Sequence, residues 1–331
     1  MSETITERIE DFALSAKEKP KAEFAHIGVV GCGTTGQKIT IMVATKGIDV
    51  FFLELSQEKI EEAYLEIEEQ LNETISHWGM TENEKKLTLS RIHGTLDYND
   101  LATCDLIIES ILSQQKNRGL AIRKEIFKKA EAVVSDHAII ATNATTTVVT
   151  ELAAELDHPE RCISLHFSTT SPGADIVEVV RGLYTSKTVC DNIRRFTTLI
   201  GKIPIPVEES PGLISVRLGV ALIGEACDLL MEGVGTKEDI DFVMKRGLGL
   251  PIGPFEMADK IGLNRVERWM HNLHREFGDQ KYVPSPLIKK LVRAKRYGRK
   301  TCHGFYKYNE HGHKLKDQTQ DADCDKSVKR K

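Results

Sequence analysis

A short apolar run, His26-Ile-Gly-Val-Val30, stops at Gly31-Cys-Gly33-Thr34-Thr35-Gly36, and helix-compatible residues continue to about Lys46. No other feature constrains the fold as much as this juncture. A strand feeding a helix through G-x-G-x-x-G predicts a βαβ unit with a phosphate site at the turn. The first glycine allows the tight turn, the second lets a pyrophosphate approach the backbone, and the third lets helix and strand pack closely. The helix start, with Thr34 and Thr35, then offers unpaired N–H groups to phosphate charge. A glycine turn alone is a weak signal, because glycines often just make turns. Here a second strand, about 48–54, ends in Glu54, 18 residues after Gly36. A carboxylate there accepts hydrogen bonds from both adenosine ribose hydroxyls and repels a 2′-phosphate, and no arginine follows nearby to neutralise one. Strand, turn, helix and acid in register predict NAD rather than NADP.

The rest of the first two-thirds repeats the alternation. Residues 57–76 carry Ile60, Tyr64, Ile67, Leu71 and Ile75 at helical steps, with an acidic outer face. Buried strands are expected at 104–110 and 137–143, with a basic helix near 121–132 between them, and further strands at 162–167, 175–181 and 202–207. Such alternation predicts right-handed crossovers and a doubly wound, mostly parallel α/β sheet of Rossmann type. After Ser210-Pro-Gly212 the pattern changes to all-α. Leu213 to Gly233 reads as a nearly buried helix, Thr236 as the cap of the next, and helical pieces run to about Arg296. The expected organisation is an N-terminal extension at 1–21, a nucleotide-binding domain at 22–208, a helical domain at 209–310 and a polar, mobile tail at 311–331. Ile5, Ile9 and Phe12 have helical spacing and suit an extra helix packed on the first domain.

Composition excludes several classes. The 331 residues suit one large or two medium domains, and 40% apolar content suffices for a core. The formal charge of −4 has no basic stripe, which argues against nucleic acid. No apolar run is long enough to span a bilayer, so no membrane partner is expected. Seven singly scattered cysteines suggest reduced thiols, neither a disulfide framework nor a zinc site. Glu3, Glu7, Glu10 and Asp11 do not suit a transit or signal peptide, so the expected location is cytoplasmic. His311 and His313 read as solvated tail residues rather than metal ligands, and no metal is expected.

His166 closes the strand Cys162-Ile-Ser-Leu-His166-Phe167, at the edge where open α/β sheets bind ligands. Glu178 shares a strand face with Ile176 and Val180 and needs a partner if buried. Oxidising a secondary alcohol requires a base for the hydroxyl proton, and a neutral imidazole, with a reference pKa of roughly 6.5, suits that role. A carboxylate behind it would fix the tautomer. On the residues alone, a buried histidine bonded to backbone is the favoured reading.

From about His26 to Tyr308 the chain resembles the L-3-hydroxyacyl-CoA dehydrogenases, the 3-hydroxybutyryl-CoA type included. The resemblance is carried by "IGVVGCGTTG", "IIATNATTTVVTELA", "PERCISLHF", "VEVVRGLYTS", "ESPGLISVR", "EGVGTKEDIDFVMKRGLGLPIGPFEMADKIGL", "GDQKYVPSPLIKKLV" and "GRKTCHGFYKY", in the family's order across both domains. It implies NAD as cofactor, an acyl-CoA thioester as substrate and a homodimer through the helical domain. It implies that His166 is the base and Glu178 its orienter, at the family's spacing of twelve. It also implies that Asn143 lies on the cofactor side and that Thr145 stands for a substrate-contacting serine. Several positions depart from the pattern, Thr170 in place of the loop proline among them, and at two of them an asparagine is lost. Thr169 replaces the loop asparagine after the histidine, and Val216 replaces an asparagine that contacts the reacting group. After Glu109 the connection is about five residues longer than the family's and lacks its second acid. Three readings follow: a 3-hydroxyacyl-CoA dehydrogenase with altered amide support, a dehydrogenase of a non-CoA hydroxy compound, or an NAD-binding sensor or assembly protein with vestigial chemistry.

Overall fold

The computed structural model describes residues 24–77, 79–112, 119–167 and 175–315. The helix expected around Ile5 to Phe12, the loop residue Thr169 and the tail from 316 lie outside the described residues.

Eight strands form one sheet: β1 (His26–Val30), β2 (Asp49–Leu53), β3 (Ile92–Thr95), β4 (Leu106–Glu109), β5 (Ile139–Thr142), β6 (Cys162–Phe167), β7 (Ile176–Arg181) and β8 (Ile203–Glu208). Their order is β3-β2-β1-β4-β5-β6-β7-β8, and the pairings from β3 through β6 are all parallel. The order reverses beside β1, so the crevice between the carboxyl ends of β1 and β4 is the switch point where such sheets bind ligands. Helices α1 (Thr34–Ala44), α2 (Gln57–Ser76), α3 (Glu82–Leu89), α4 (Gly119–Val133), α5 (Val149–Ala153) and α6 (Lys187–Leu199) accompany the strands.

Central strands buried on both faces need unbroken apolar runs. Ile27, Val29, Leu106, Ile107, Ile108 and Ile140 supply them and are essentially inaccessible. On one face Ile107, Ile140 and Cys162 pack against Phe127 and Ala130 of α4 and Leu152 of α5. The amphipathic α2 keeps its expected span and buries Ile60, Ala63, Ile67 and Leu71, while the Ser56 side chain caps its start. The strand β3 has no apolar run to announce it. It forms because Gly94 lets the chain approach Phe52 and Ile60, where a Cβ would meet side-chain carbons at 2.6–2.8 Å.

The helical part contains α7 (Ser215–Met231), α8 (Lys237–Arg246), α9 (Pro254–Ile261), α10 (Leu263–Phe277) and α11 (Pro286–Arg293). Val216, Val220, Ile223, Ala226 and Cys227 of α7 pack with Phe255, Val266, Met270 and Leu273. The expectation of a nearly buried α7 is corrected here. Its burial repeats every three or four residues, on one face only, and Leu218 on another face is 68% exposed.

Two buried aspartates explain the sequence near 300. Asp241 accepts from the N–H groups of Phe255 and Glu256 and from the Tyr306 hydroxyl, at 2.8–3.0 Å. Asp259 accepts from the N–H groups of Phe305 and Tyr306 and from the Tyr308 hydroxyl, also at 2.8–3.0 Å. A Cβ on Gly304 would fall 1.9 Å from Asp259 Oδ1, so only glycine fits the close approach that these bonds require. Residues expected to begin the tail instead turn back, with Tyr308 bridging Lys314 and the Leu315 N–H donating to Lys307.

By contacts the chain divides into two units. The described parts of Met1–Asn143, Val149–Phe167 and Val179–Pro204 form the first, and those of Ala144–Val148, Ser168–Glu178 and Ile205–Lys331 form the second. The expected boundary at 208–209 follows chain order. Contacts assign the two short segments, 144–148 and the end of 168–178, to the helical unit.

Candidate active site

The glycine turn forms as its residues predict. Gly31 adopts φ +92, in the region that favours glycine. A Cβ on Gly36 would lie 2.1 Å from the Gly31 carbonyl oxygen, so helix α1 reaches β1 only with glycine there. A Cβ on Gly33 would meet nothing within 4 Å, which leaves open space on the turn's outer side. Gly33 precedes α1 without any side-chain cap, and no acid occupies the first turn. The amino end of α1, at Thr34 and Thr35, therefore keeps its N–H groups and positive dipole end for an anion. Ser110, at the adjacent end of β4, has a buried hydroxyl with no hydrogen-bond partner among the described residues.

Glu54 follows β2 and folds toward the turn. Its Oε1 accepts from the Cys32 N–H at 2.6 Å, and its Oε2 from the Leu55 N–H at 3.2 Å. The acid and the glycine turn are thus joined directly. Burial pushes the Cys32 thiol up to about 12, so it is a packing group rather than a nucleophile. These residues fit an NAD: open backbone for the pyrophosphate, a helix end for its charge, and a carboxylate for ribose hydroxyls.

His166 stands half-buried near the carboxyl end of β6. The next residue, Phe167, donates its N–H to Asn143 Oδ1 at 3.2 Å, which brings Asn143 to the same strand end. In the second unit, Glu178 is 2% exposed. Its Oε1 accepts from the N–H groups of Ile214 and Ser215 at 2.9 and 3.3 Å, and its Oε2 from the Ser215 hydroxyl at 2.7 Å. Gly212 at φ +85 and Leu213 at φ +51 bend the chain into α7, and Glu178 caps the helix that follows. Thr145 accepts the Gly212 N–H at its carbonyl at 2.7 Å, beside the same bend. Val216 is 4% exposed and packs in the helical core.

Sequence reasoning missed Ser215 as Glu178's partner, because a donor 37 residues away leaves no signal in local spacing. It also gave no role to Glu109, a fully buried acid at the end of β4. An acid closing the apolar run Leu106-Ile-Ile-Glu109 was the available signal. Among the described residues, no group of three or more His, Cys, Asp or Glu side chains is placed to hold a metal.

A Rossmann sheet with a glycine turn at its switch point and an acid closing β2 defines an NAD-binding oxidoreductase. The model of the NAD-binding domain of 3-hydroxyacyl-CoA dehydrogenase matches residues 26–210, and that of the same family's C-terminal domain matches 212–308. The chain belongs to the 3-hydroxyacyl-CoA dehydrogenase family. It is 36% identical over 284 residues to a 3-hydroxybutyryl-CoA dehydrogenase of Clostridioides difficile, covering 86% of this chain and 99% of that one. It is 32% identical to the human mitochondrial hydroxyacyl-coenzyme A dehydrogenase, over 86% of this chain and 91% of the relative. The crystal structure of the (S)-3-hydroxybutyryl-CoA dehydrogenase of Ralstonia eutropha superposes with a TM-score of 0.78 at 34% identity, covering 86% and 99% of the two chains. The protein is an NAD-dependent dehydrogenase of this family.

Proposed function

We propose that the protein transfers hydride reversibly between NAD and a 3-hydroxyacyl-CoA thioester, interconverting 3-hydroxyacyl and 3-ketoacyl groups. The carrying observation is the identity of 36% across 99% of a 3-hydroxybutyryl-CoA dehydrogenase, in a chain whose glycine turn and acid are built for NAD. NAD, when bound, accepts the hydride. His166 takes the hydroxyl proton during oxidation and returns it during reduction. Glu178 fixes the imidazole and is itself fixed by Ile214 and Ser215. Gly31, Gly33, Thr34, Thr35, Gly36, Glu54 and Asn143 hold the cofactor; Thr145 and Thr169 stand at the substrate-contacting positions of the family's pattern, whereas Val216, at a third such position, packs in the helical core.

The nucleotide-binding domain occupies 22–208 and the helical domain 209–310. The second assembles a homodimer, supported by the exposed apolar side chains Leu218 on α7 and Phe242 and Val243 on α8. The protein works in the cytoplasm, a reading supported by six unbridged cysteines among the described residues. No described helix is long and apolar enough to cross a membrane.

The test is NADH formation or loss with purified protein against 3-hydroxyacyl- and 3-ketoacyl-CoA thioesters and free 3-hydroxy acids. Turnover of the thioesters is expected. Turnover of the free acids alone moves the substrate to the non-CoA class. NAD binding without turnover on either panel in a folded protein removes the proposal.

A further inference from the structure

The carboxyl end of β4 carries a side chain that the chemistry above does not use. Glu109 is fully buried and lies in register with Val30 of β1 and Thr142 of β5. A carboxylate is buried at tolerable cost only when donors surround it. Among the described residues Glu109 has three: the Ile111 N–H at 2.8 Å, the Thr142 hydroxyl at 2.6 Å and Arg123 Nε at 3.0 Å.

Arg123 belongs to α4, and its side chain is 14% exposed. Its two terminal nitrogens donate to backbone carbonyls: to Ile111 at 2.9 Å and to Gly119 at 3.3 Å. Ile111 is therefore held twice, at its N–H by Glu109 and at its carbonyl by Arg123.

Ile111 in turn lies against the glycine turn. A Cβ placed on Gly31 would fall 2.9 Å from Ile111 Cγ2 and 3.1 Å from its backbone N and Cα. From the other side, the Gly31 N–H donates to the Leu53 carbonyl at 2.9 Å. The first glycine of the turn is thus wedged between the end of β2 and a residue whose position Arg123 and Glu109 set.

We infer that Arg123 is a positioning residue for the dinucleotide. Acting through Glu109 and Ile111, it fixes one wall of the Gly31–Gly36 turn and so sets cofactor affinity without touching the cofactor. A planar guanidinium suits this position, because it reaches three acceptors in one fixed fork. An ammonium, a single point charge, does not hold that geometry. The inference rests on the NAD site and not on the identity of the acyl substrate.

A purely structural account is that Arg123 only balances the charge of Glu109. Three full-length variants separate the two: Arg123→Met, Arg123→Lys, and Arg123→Met combined with Glu109→Gln. NADH affinity is read by fluorescence titration without acyl substrate, beside the urea midpoint, kcat and KM for NAD. Arg123→Met is expected to raise the NADH Kd and the KM for NAD by about tenfold or more, with kcat at saturating NAD changed by less than about threefold. Arg123→Lys recovers part of the affinity. The double variant relieves the unpaired buried charge and recovers the urea midpoint, yet its NADH Kd stays raised, because the Ile111 carbonyl still lacks its donor.

An NADH Kd that returns to the wild-type value in the double variant overturns the inference, as does an unchanged Kd in folded Arg123→Met. Should Arg123→Met fail to fold, the lysine and double variants carry the same comparison. Wild-type protein that binds NADH but turns over no acyl thioester removes the substrate proposal and leaves this inference intact.

Discussion

Ser215 offers the sharpest test of the role proposed for Glu178. Ser215→Ala removes the 2.7 Å hydroxyl bond to Glu178 Oε2 and leaves the two N–H bonds to Oε1 in place. A hydroxyl bond to a carboxylate contributes about 1.5–3 kcal/mol. Because Glu178 is 2% exposed, water does not readily replace the lost donor. Part of the loss is recovered by tightening onto the remaining N–H groups, so about 1–2 kcal/mol should appear. If Glu178 orients His166, that deficit falls on the transition state and lowers kcat by about 5–30-fold, with KM for the acyl substrate little changed. The assay is steady-state kinetics on Ser215→Ala, Ser215→Thr and Glu178→Gln, with the double variant to close a cycle. Threonine keeps a hydroxyl and should restore most of the rate. In the Glu178→Gln background the alanine change should cost much less than in wild type, because the two residues act as one unit. A Ser215→Ala enzyme with lowered stability and full kcat refutes the reasoning. So does an equal rate loss in both backgrounds.

Other outcomes follow from the same geometry. NADH should bind about 10–100-fold more tightly than NADPH, and Glu54→Ala should narrow the gap; equal affinities by calorimetry would remove Glu54 from the ribose site. His166→Gln should lower kcat by about 10²–10⁴-fold with NADH binding intact. The oxidative kcat/KM of the wild type should fall on the acid side, where imidazole is protonated; an active glutamine variant means that another group takes the proton. Asp259 is pushed up to about 6 by burial, despite its three hydrogen bonds. Its folded value exceeds the ordinary carboxylate value of about 4, so its contribution to stability is complete below that pH. It is lost as pH rises through about 6, by up to about 3 kcal/mol. Carbon NMR of the aspartate carboxyl should show this titration, and an apparent pKa below about 4 would contradict it.

Much of the fold was legible because its periodicities are strong. The span of α2 follows from apolar residues at three- and four-residue steps, and β6 from Ile163, Leu165 and Phe167 alternating with Ser164 and His166. The strand β3 was not legible. Ile92-His-Gly-Thr95 has little strand character of its own, and the neighbouring β2 and the opening beside Phe52 decide its conformation. Similarly, α7 reads as buried because its exposed positions are also apolar. Sequence reports the hydropathy of Leu218 but not which direction it points within the unit.

The site divides in the same way. The cofactor half is local: turn, helix start and acid lie within 24 residues, from Gly31 to Glu54, and each has a single backbone role. Their chemistry can be read from spacing. The carboxylates Glu178 and Glu109 are different, because a buried acid is defined by its donors. Those donors come from positions 36 and 37 residues away for Glu178, and 14 and 33 away for the side chains on Glu109. A one-residue step along α7 separates Val216, turned into the apolar core, from Ser215, turned to Glu178. The roughly 100° rotation per helical residue explains both placements. It makes Ser215 an anchor on Glu178, the acid proposed to orient His166. In this chain Val216 contributes apolar packing, while Ser215 gives Glu178 a hydroxyl donor. Substitutions at 215 should therefore act on turnover through Glu178, whereas a polar residue at 216 acts first on the stability of the helical core.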